Sequence, residues 1–455
     1  MKKFKFISIL FTGLFVFGSC SDYLNVAPVS QIGSNGFYTN DAQVEAGVIA
    51  IYDGMQTMVQ TEYAVTEMRS DNSKTRTSEG EGAEFESMNV SPSNSTVADY
   101  WAKNYNIIFR ANTVLASLDA VSNDAKKNQF EGEAKFARAM AHFNLVRAFG
   151  DVPLILKVIG PTETQYFGRT AKSEVYAAII SDLKDAASLL PSRSGIGEGR
   201  ATSGAANALL GKVYLTTGDF ANAKTSLDAV KKSGDYDIVD NYHDVFYQER
   251  GKEIIFAVEF INDNSTESEL FSLDFTSKGR ATGLNLATNN LMNAVDPTDA
   301  RKATLFYYEA GVGLWECGKY LSNSSSSSLS GNDWIVLRYA DVLLMEAEAI
   351  MGNNTSTTDL TALDDFNAIR TRAGLSTVET LTKDMLVNER RIEFAFEDQR
   401  LYDLVRLGYA DSVMGAFSQE GEPTFAYHST ALLLPIPQRE RNLYSELTQN
   451  PGYSE

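Results

Sequence analysis

Apolar residues recur along most of this chain at the three- and four-residue spacing of amphipathic helices. Asn40 and Asp41 cap a first such segment, which runs to about residue 59, and a second spans about 97–121. The third, at 124–149, places Phe136, Met140, Phe143 and Val146 on one stripe. Gly150 ends it, followed by Asp151-Val152-Pro153, because glycine closes a last turn and proline cannot extend it. A fourth helix is predicted over 172–190, stopped by Pro191. Helices resume at about 333–351, 358–373 and 383–406. The first of these three carries Val336, Tyr339, Leu343, Ala347 and Ile350 on one face.

Residues 202–232 have a more specific pattern. Leu210, Gly211, Tyr214, Gly218 and Ala223 match the spacing of a tetratricopeptide unit, a helical hairpin of about 34 residues. Small Gly211 and Ala223 let two helices approach closely, Tyr214 and Leu227 fill the gap, and Gly218-Asp219 turn the chain. One such unit cannot bury its own face, so neighbouring helices must stack on it.

The pattern changes over 234–330. Here Glu253 to Val258 forms a β-like run, Asn, Ser, Thr and Gly abound, and Ser324 to Ser328 is a serine tract. This reads as a loop-rich insertion, the kind of region that carries binding function. Residues 408–455 read as irregular, with Pro423, Pro435, Pro437 and Pro451.

The N-terminus has a different logic. Lys2, Lys3 and Lys5 form a basic region, and residues 6–17 an apolar stretch too short for a span of about 20. Phe17-Gly18-Ser19-Cys20 then places small residues before a cysteine, as a lipoprotein peptidase requires, with Phe17 where Leu is commoner. Cleavage would leave a lipidated Cys20 as the first residue, its acyl chains supplying the anchor. Residues 21–37 read as an extended tether with Pro28.

Composition narrows the function. The 455 residues are 44% hydrophobic and 22% charged, enough for a large core. The formal charge of −19 becomes about −22 once the three lysines of the signal are gone. So acidic a surface disfavours nucleic acid, which rewards basic patches, and leaves no polybasic attraction to anionic lipid. Beyond Cys20 only Cys317 remains, so no disulfide framework forms, and Cys317 reads as a buried or half-buried thiol. His142, His243 and His428 are scattered without metal-ligand spacing. No catalytic serine elbow, phosphate loop or dinucleotide glycine motif appears, so neither metal nor cofactor is expected.

Several stretches together resemble the SusD/RagB family. They are Cys20 to Pro28, Glu133 to Leu156 (EAKFARAMAHFNLVRAFGDVPLIL), Arg200 to Leu215 (RATSGAANALLGKVYL) and Trp334 to Ala349 (WIVLRYADVLLMEAEA). Later come Asn367 to Gly374, Asn388 to Gly408 (NERRIEFAFEDQRLYDLVRLG), Leu433 to Gln438 and Gln449 to Tyr453. The resemblance covers nearly the whole chain. It implies a mainly α fold of tetratricopeptide-like helix pairs with a loop-rich irregular part. The expected organisation is a signal peptide at 1–19, a lipid-anchored tether at 20–37 and one SusD-like domain at 38–455. Within that domain, helices occupy about 40–233 and 333–407, and the insertion 234–332. The resemblance further implies a surface-exposed outer-membrane lipoprotein that sits on a TonB-dependent, SusC-like transporter. It would capture oligosaccharide or polysaccharide for import, without enzymatic activity. The family does not fix the ligand, since some members are linked to peptides.

The residues themselves allow glycan capture, which needs apolar rings against sugar faces and planar polar groups at their edges. Trp101, with Tyr105 and Asn106, lies near the start of a helix after the polar loop 70–96, and is a candidate for stacking. Asp71, Asn72 and Arg76 in that loop are candidate hydrogen-bonding groups. Trp315, in the glycine-rich 311–315 run, is a second candidate platform, with Tyr307 and Tyr308 behind it and Trp334 assigned to the core. The cluster Glu389, Arg390, Arg391, Glu393, Glu397, Arg400, Asp403 and Arg406 could suggest paired catalytic carboxylates. Its helical spacing favours a structural ion-pair network instead, which Arg338 and Asp341 could join. Besides glycan capture, the sequence leaves open a protein-interaction scaffold, a peptide-binding lid on the transporter and a glycoside hydrolase.

Overall fold

The computed structural model describes residues 38–76, 80–276, 283–326, 328–420 and 427–454. Cys20, the signal segment and the tether lie outside the described residues. Helix dominates. The chain opens with α1 (Asp41–Val65), α2 (Ser95–Leu115), α3 (Asp124–Phe149), α4 (Lys172–Leu189), α5 (Ser203–Thr217) and α6 (Phe220–Ser233). After the insertion come α7 (Tyr339–Met351), α8 (Leu360–Arg372), α9 (Lys383–Glu393), α10 (Arg400–Leu407), α11 (Ala410–Gln419) and α12 (Gln438–Leu443). From α1 to α8 each of these helices packs on the next, so the array runs unbroken past the insertion.

Local chemistry sets the boundaries. Asn40, Asn94, Asn123 and Thr202 each precede a helix, and each side chain accepts the backbone N–H three residues on. The α5–α6 hairpin turns at Gly218, whose φ of 78° is left-handed. Gly211 is the close-approach point: a Cβ there would lie 2.6 Å from Leu227 Cδ2.

Several predicted boundaries move: the helix expected over 97–121 ends at Leu115, and the 408–455 stretch, expected to be irregular, holds α11 and α12. Helix α1 continues to Val65, because Tyr63 and Val65 stay buried in the core. Residues 334–338, expected to be helical, form a strand, β6 (Trp334–Arg338). It pairs antiparallel with β2 (Ile254–Val258), so that Ala257 faces Ile335 and Val258 faces Trp334. β-branched Ile335 and Val336 suit a strand, and an equally apolar partner run is available. The helix expected over 383–406 breaks between α9 and α10, where Phe396 (φ 66°) and Asp398 (φ 60°) are left-handed. Glu67 accepts the Phe396 N–H at 2.9 Å. Glu397 is held by Lys319 Nζ at 2.6 Å and Arg338 Nε at 2.7 Å. These contacts fix the bend.

The insertion builds a four-stranded antiparallel sheet from β1 (Ser73–Lys74), β3 (Leu286–Ala287), β5 (Leu314–Cys317) and β4 (Phe306–Glu309), in that spatial order. β1 comes from the loop after α1, so helical array and insertion share a sheet. They also share a core: Phe136 of α3, Phe256 of β2 and Trp334 of β6 belong to one buried cluster. Trp334 is fully packed and donates from Nε1 to Glu62 at 3.0 Å.

The charged cluster of α9 and α10 is a buried ion-pair network. Arg338 bridges Glu253, Glu393 and Glu397 at 2.9, 2.6 and 2.7 Å. Arg301 bridges Asp299, Glu389 and Glu393. Arg390 joins Asp341 to Asp403 at 2.8 Å each. Arg372, Arg338 and Arg301 hold the Glu393 carboxyl well below the usual range against the opposing effect of burial. Glu393 and Glu397 are therefore committed to the interior and offer no exposed acid pair.

Candidate functional site

β4 and β5 form a hairpin whose root is buried and whose tip projects into solvent. Directly opposed residues share a face. Phe306 faces Cys317 at the buried root, and Tyr308 faces Trp315 nearer the tip. The turn between them is pinned by Glu309, whose carboxylate accepts the Gly311 N–H at 3.0 Å and whose backbone carbonyl accepts the Gly313 N–H at 2.8 Å. Gly313 (φ 73°) takes the left-handed position that brings the chain into β5.

The outcome is an aromatic platform. Trp315 is 45% exposed and Tyr308 49% exposed, and their ring centroids lie 4.9 Å apart at 48°. Val312 at the turn adds exposed apolar surface. Two large rings left this open are unusual in a domain that buries most of its aromatics. The tilt makes an angled surface on which successive rings of a chain-like ligand could rest.

The other sequence candidates fall in different places. Arg76 is exposed at the end of β1, its N–H donating to Gly283 at 2.9 Å, and makes no ion pair among the described residues. It lies two residues past β1, the edge strand of the sheet that carries Trp315. Asp71 and Asn72 are interior residues and are corrected from ligand candidates to structural ones. Asp71 is bound by Arg400 and Arg391, and Asn72 by Glu67 and Arg391. Burial opposes ionisation of Asp71, but Arg391 and Arg400 outweigh it and hold the carboxyl below its usual range.

Trp101 also differs from expectation. Only 4% of it is exposed, and its ring packs edge-on to Phe149 at 5.0 Å and against Tyr105 at 5.1 Å. Trp101 and Tyr105 instead line an apolar cavity of about 350 Å³ beside α2. Asn106 is exposed and does not line it. Tyr308, only a secondary candidate in the sequence, turns out to complete the Trp315 platform. The signal was its place in the Phe306–Glu309 run, whose alternation sets Tyr308 opposite Trp315 once the hairpin register is known.

Other chemistry is muted. Burial pushes the Cys317 thiol up to about 12, so it is not nucleophilic at neutral pH. His142 is buried and pushed down to about 3, chiefly by desolvation. No group of three or more His, Cys, Asp or Glu among the described residues could hold a metal ion. No helix among them is long and apolar enough to cross a membrane. A groove of about 1270 Å³ runs between α4, α5 and α10, lined by Arg147, Tyr176, Ile180, Thr216, Tyr402 and Val405 among others.

The described residues form a helical-repeat array that carries a small sheet with an exposed aromatic hairpin. Two family models match in sequence. One, described as "Starch-binding associating with outer membrane", covers residues 22–215, and the other, "SusD family", covers 281–453. The chain belongs to the SusD family. It is 28% identical to "SusD-like protein P2" of Formosa agariphila over the full length of both chains. A solved "Laminarin binding SusD-like protein" matches with 26% identity and a TM-score of 0.77, covering 91% of this chain and 100% of that one. "Surface glycan-binding protein A" of Bacteroides thetaiotaomicron shares the fold at 21% identity, with a TM-score of 0.79 and the same coverage.

Proposed function

We propose that this protein captures glycan at the cell surface on the Tyr308–Trp315 platform and passes it, uncleaved, to a SusC-like TonB-dependent transporter. Cys20 would hold it to the outer membrane by its lipid. The observation that carries the reading is the exposed, mutually tilted Tyr308–Trp315 pair on a pinned hairpin. Arg76, just past the edge strand of the same sheet, supplies a cation without an ion pair among the described residues for hydroxyl or carboxylate groups of the sugar. The names of the laminarin- and glycan-binding relatives favour a carbohydrate over a peptide.

A second role is compatible with the first. The groove between α4, α5 and α10 is large enough to receive a segment of a partner protein, and no hairpin residue lines it.

The test is a glycan array followed by calorimetry on soluble protein starting at Ser21. Trp315→Ala and Tyr308→Ala should each weaken binding by about tenfold, the loss of roughly 1.4 kcal/mol of stacking. Product analysis should return the glycan at its original length; released fragments would instead establish a hydrolase. For the anchor, Cys20→Ser should abolish incorporation of labelled palmitate.

A further inference from the structure

The cavity beside α2 has a lining that differs in kind from the hairpin platform. Rings of Trp101, Tyr105, Phe109, Phe167 and Tyr444 surround it. Phe167 meets Tyr444 edge to face at 5.9 Å. Phe109 is 53% exposed at the mouth, and Leu443 of α12 projects beside it.

Nearly every polar group of the lining already has its partners. The Asn112 amide donates to the carbonyls of Ile155 and Lys157, and its oxygen accepts from Arg138 at 2.7 Å. The Tyr105 hydroxyl donates to the Pro153 carbonyl at 2.8 Å, which leaves its ring to face the cavity. Lys157 is turned to Glu163 at 3.1 Å and lies 4.6 Å above the Tyr166 ring. Glu440 of α12 is the exception. Its carboxylate accepts no hydrogen bond among the described residues, and the largely exposed Arg439 stands 4.0 Å away. Burial raises its pKa above the ordinary carboxylate value.

We propose that this cavity is a second binding site, for an alkylammonium cation, such as a trimethylammonium group or the end of a lysine side chain. Aromatic faces attract such a cation through their quadrupoles, most strongly when it is desolvated. The Glu440 carboxylate, which has only the solvent-exposed Arg439 beside it among the described residues, supplies the counter-charge. A sugar would find few free hydrogen-bonding partners here, and a neutral apolar ligand would leave Glu440 unpaired. The strongly negative protein draws cations towards the site.

The experiment titrates soluble protein starting at Ser21 with benzyltrimethylammonium, with Nα-acetyl-lysine amide and with neutral 3,3-dimethylbutanol. The readout is indole fluorescence in a Trp315→Phe background. At least one cation should give a saturable change, and the neutral alcohol should bind at least about tenfold more weakly. Which cation binds more tightly distinguishes a small ammonium ligand from a partner's lysine. Glu440→Gln and Tyr444→Ala should each weaken cation binding several-fold, and, introduced into the parent protein with Trp315 intact, should leave glycan affinity unaltered. Equal binding of the neutral alcohol, an unaffected Glu440→Gln variant, or no saturable change with either cation would overturn the proposal.

Discussion

Arg400 grips Asp71 with both arms of its guanidinium, Nε at 2.7 Å from Oδ1 and Nη2 at 2.8 Å from Oδ2. Arg391 adds a third contact at 2.9 Å. The loop that follows α1 is thereby tied to α9 and α10, across more than 300 residues of sequence, and β1 is delivered to the edge of the sheet. Asp71→Asn would leave two buried guanidiniums without their counter-charge. It should lower the unfolding free energy by about 3–5 kcal/mol in chemical denaturation. A loss below about 1 kcal/mol would show that the fork contributes little.

Glu67 predicts a dependence on pH. Burial pushes its carboxyl up to about 7, although Phe396 N–H and Asn72 donate to it. Its Oε2 has no hydrogen-bond partner among the described residues. Between the unfolded value near about 4.3 and 7, the folded chain keeps a proton that the unfolded chain releases. Stability from this group therefore falls as pH rises through that window. Glu67→Gln mimics the protonated form, so the loss of stability between pH 5 and pH 8 should shrink by up to about 3 kcal/mol. Equal losses in both proteins would contradict the assignment.

Gly211 offers a packing test. An added methyl would press on Leu227, whose side chain is fully buried. Gly211→Ala should cost about 1–3 kcal/mol. Leu227→Ala alone should cost about 2–5 kcal/mol through the cavity it leaves. The double variant should be more stable than the sum of the two losses predicts, because the methyl would occupy that space. Strict additivity in thermal and denaturant unfolding would argue against this contact.

The three tryptophans should separate cleanly. Trp101→Ala and Trp334→Ala remove packed rings and should destabilise by about 3–5 kcal/mol. Trp315→Ala removes a half-exposed ring and should change stability by less than about 1 kcal/mol. Denaturant midpoints measured for all three check the order.

Much of the helical array could be read from periodicity and caps, as Asn40 and Gly218 illustrate. The interior role of the Glu389–Arg406 cluster followed from its helical spacing. What stayed hidden depended on distant pairing. Trp334–Arg338 looks like the first turn of a helix until Ile254–Val258 is seen beside it. The 383–406 helix breaks because Glu67, Lys319 and Arg338 seize its middle from elsewhere. For the candidate site the limit was exposure. Polar Asp71 and Asn72 looked available, yet arginines from the C-terminal third bury them. Trp101 and Trp315 are equally aromatic in sequence, and only the hairpin register left Trp315 open beside Tyr308.

The most direct test of glycan capture is calorimetry with the best glycan from an array, comparing the parent protein with Trp315→Ala under conditions where both are fully folded. The predicted result is at least about a tenfold loss of affinity with an unchanged denaturation midpoint and an intact glycan. Undiminished affinity in Trp315→Ala, or cleavage of the glycan by the parent protein, would contradict capture on the Tyr308–Trp315 platform.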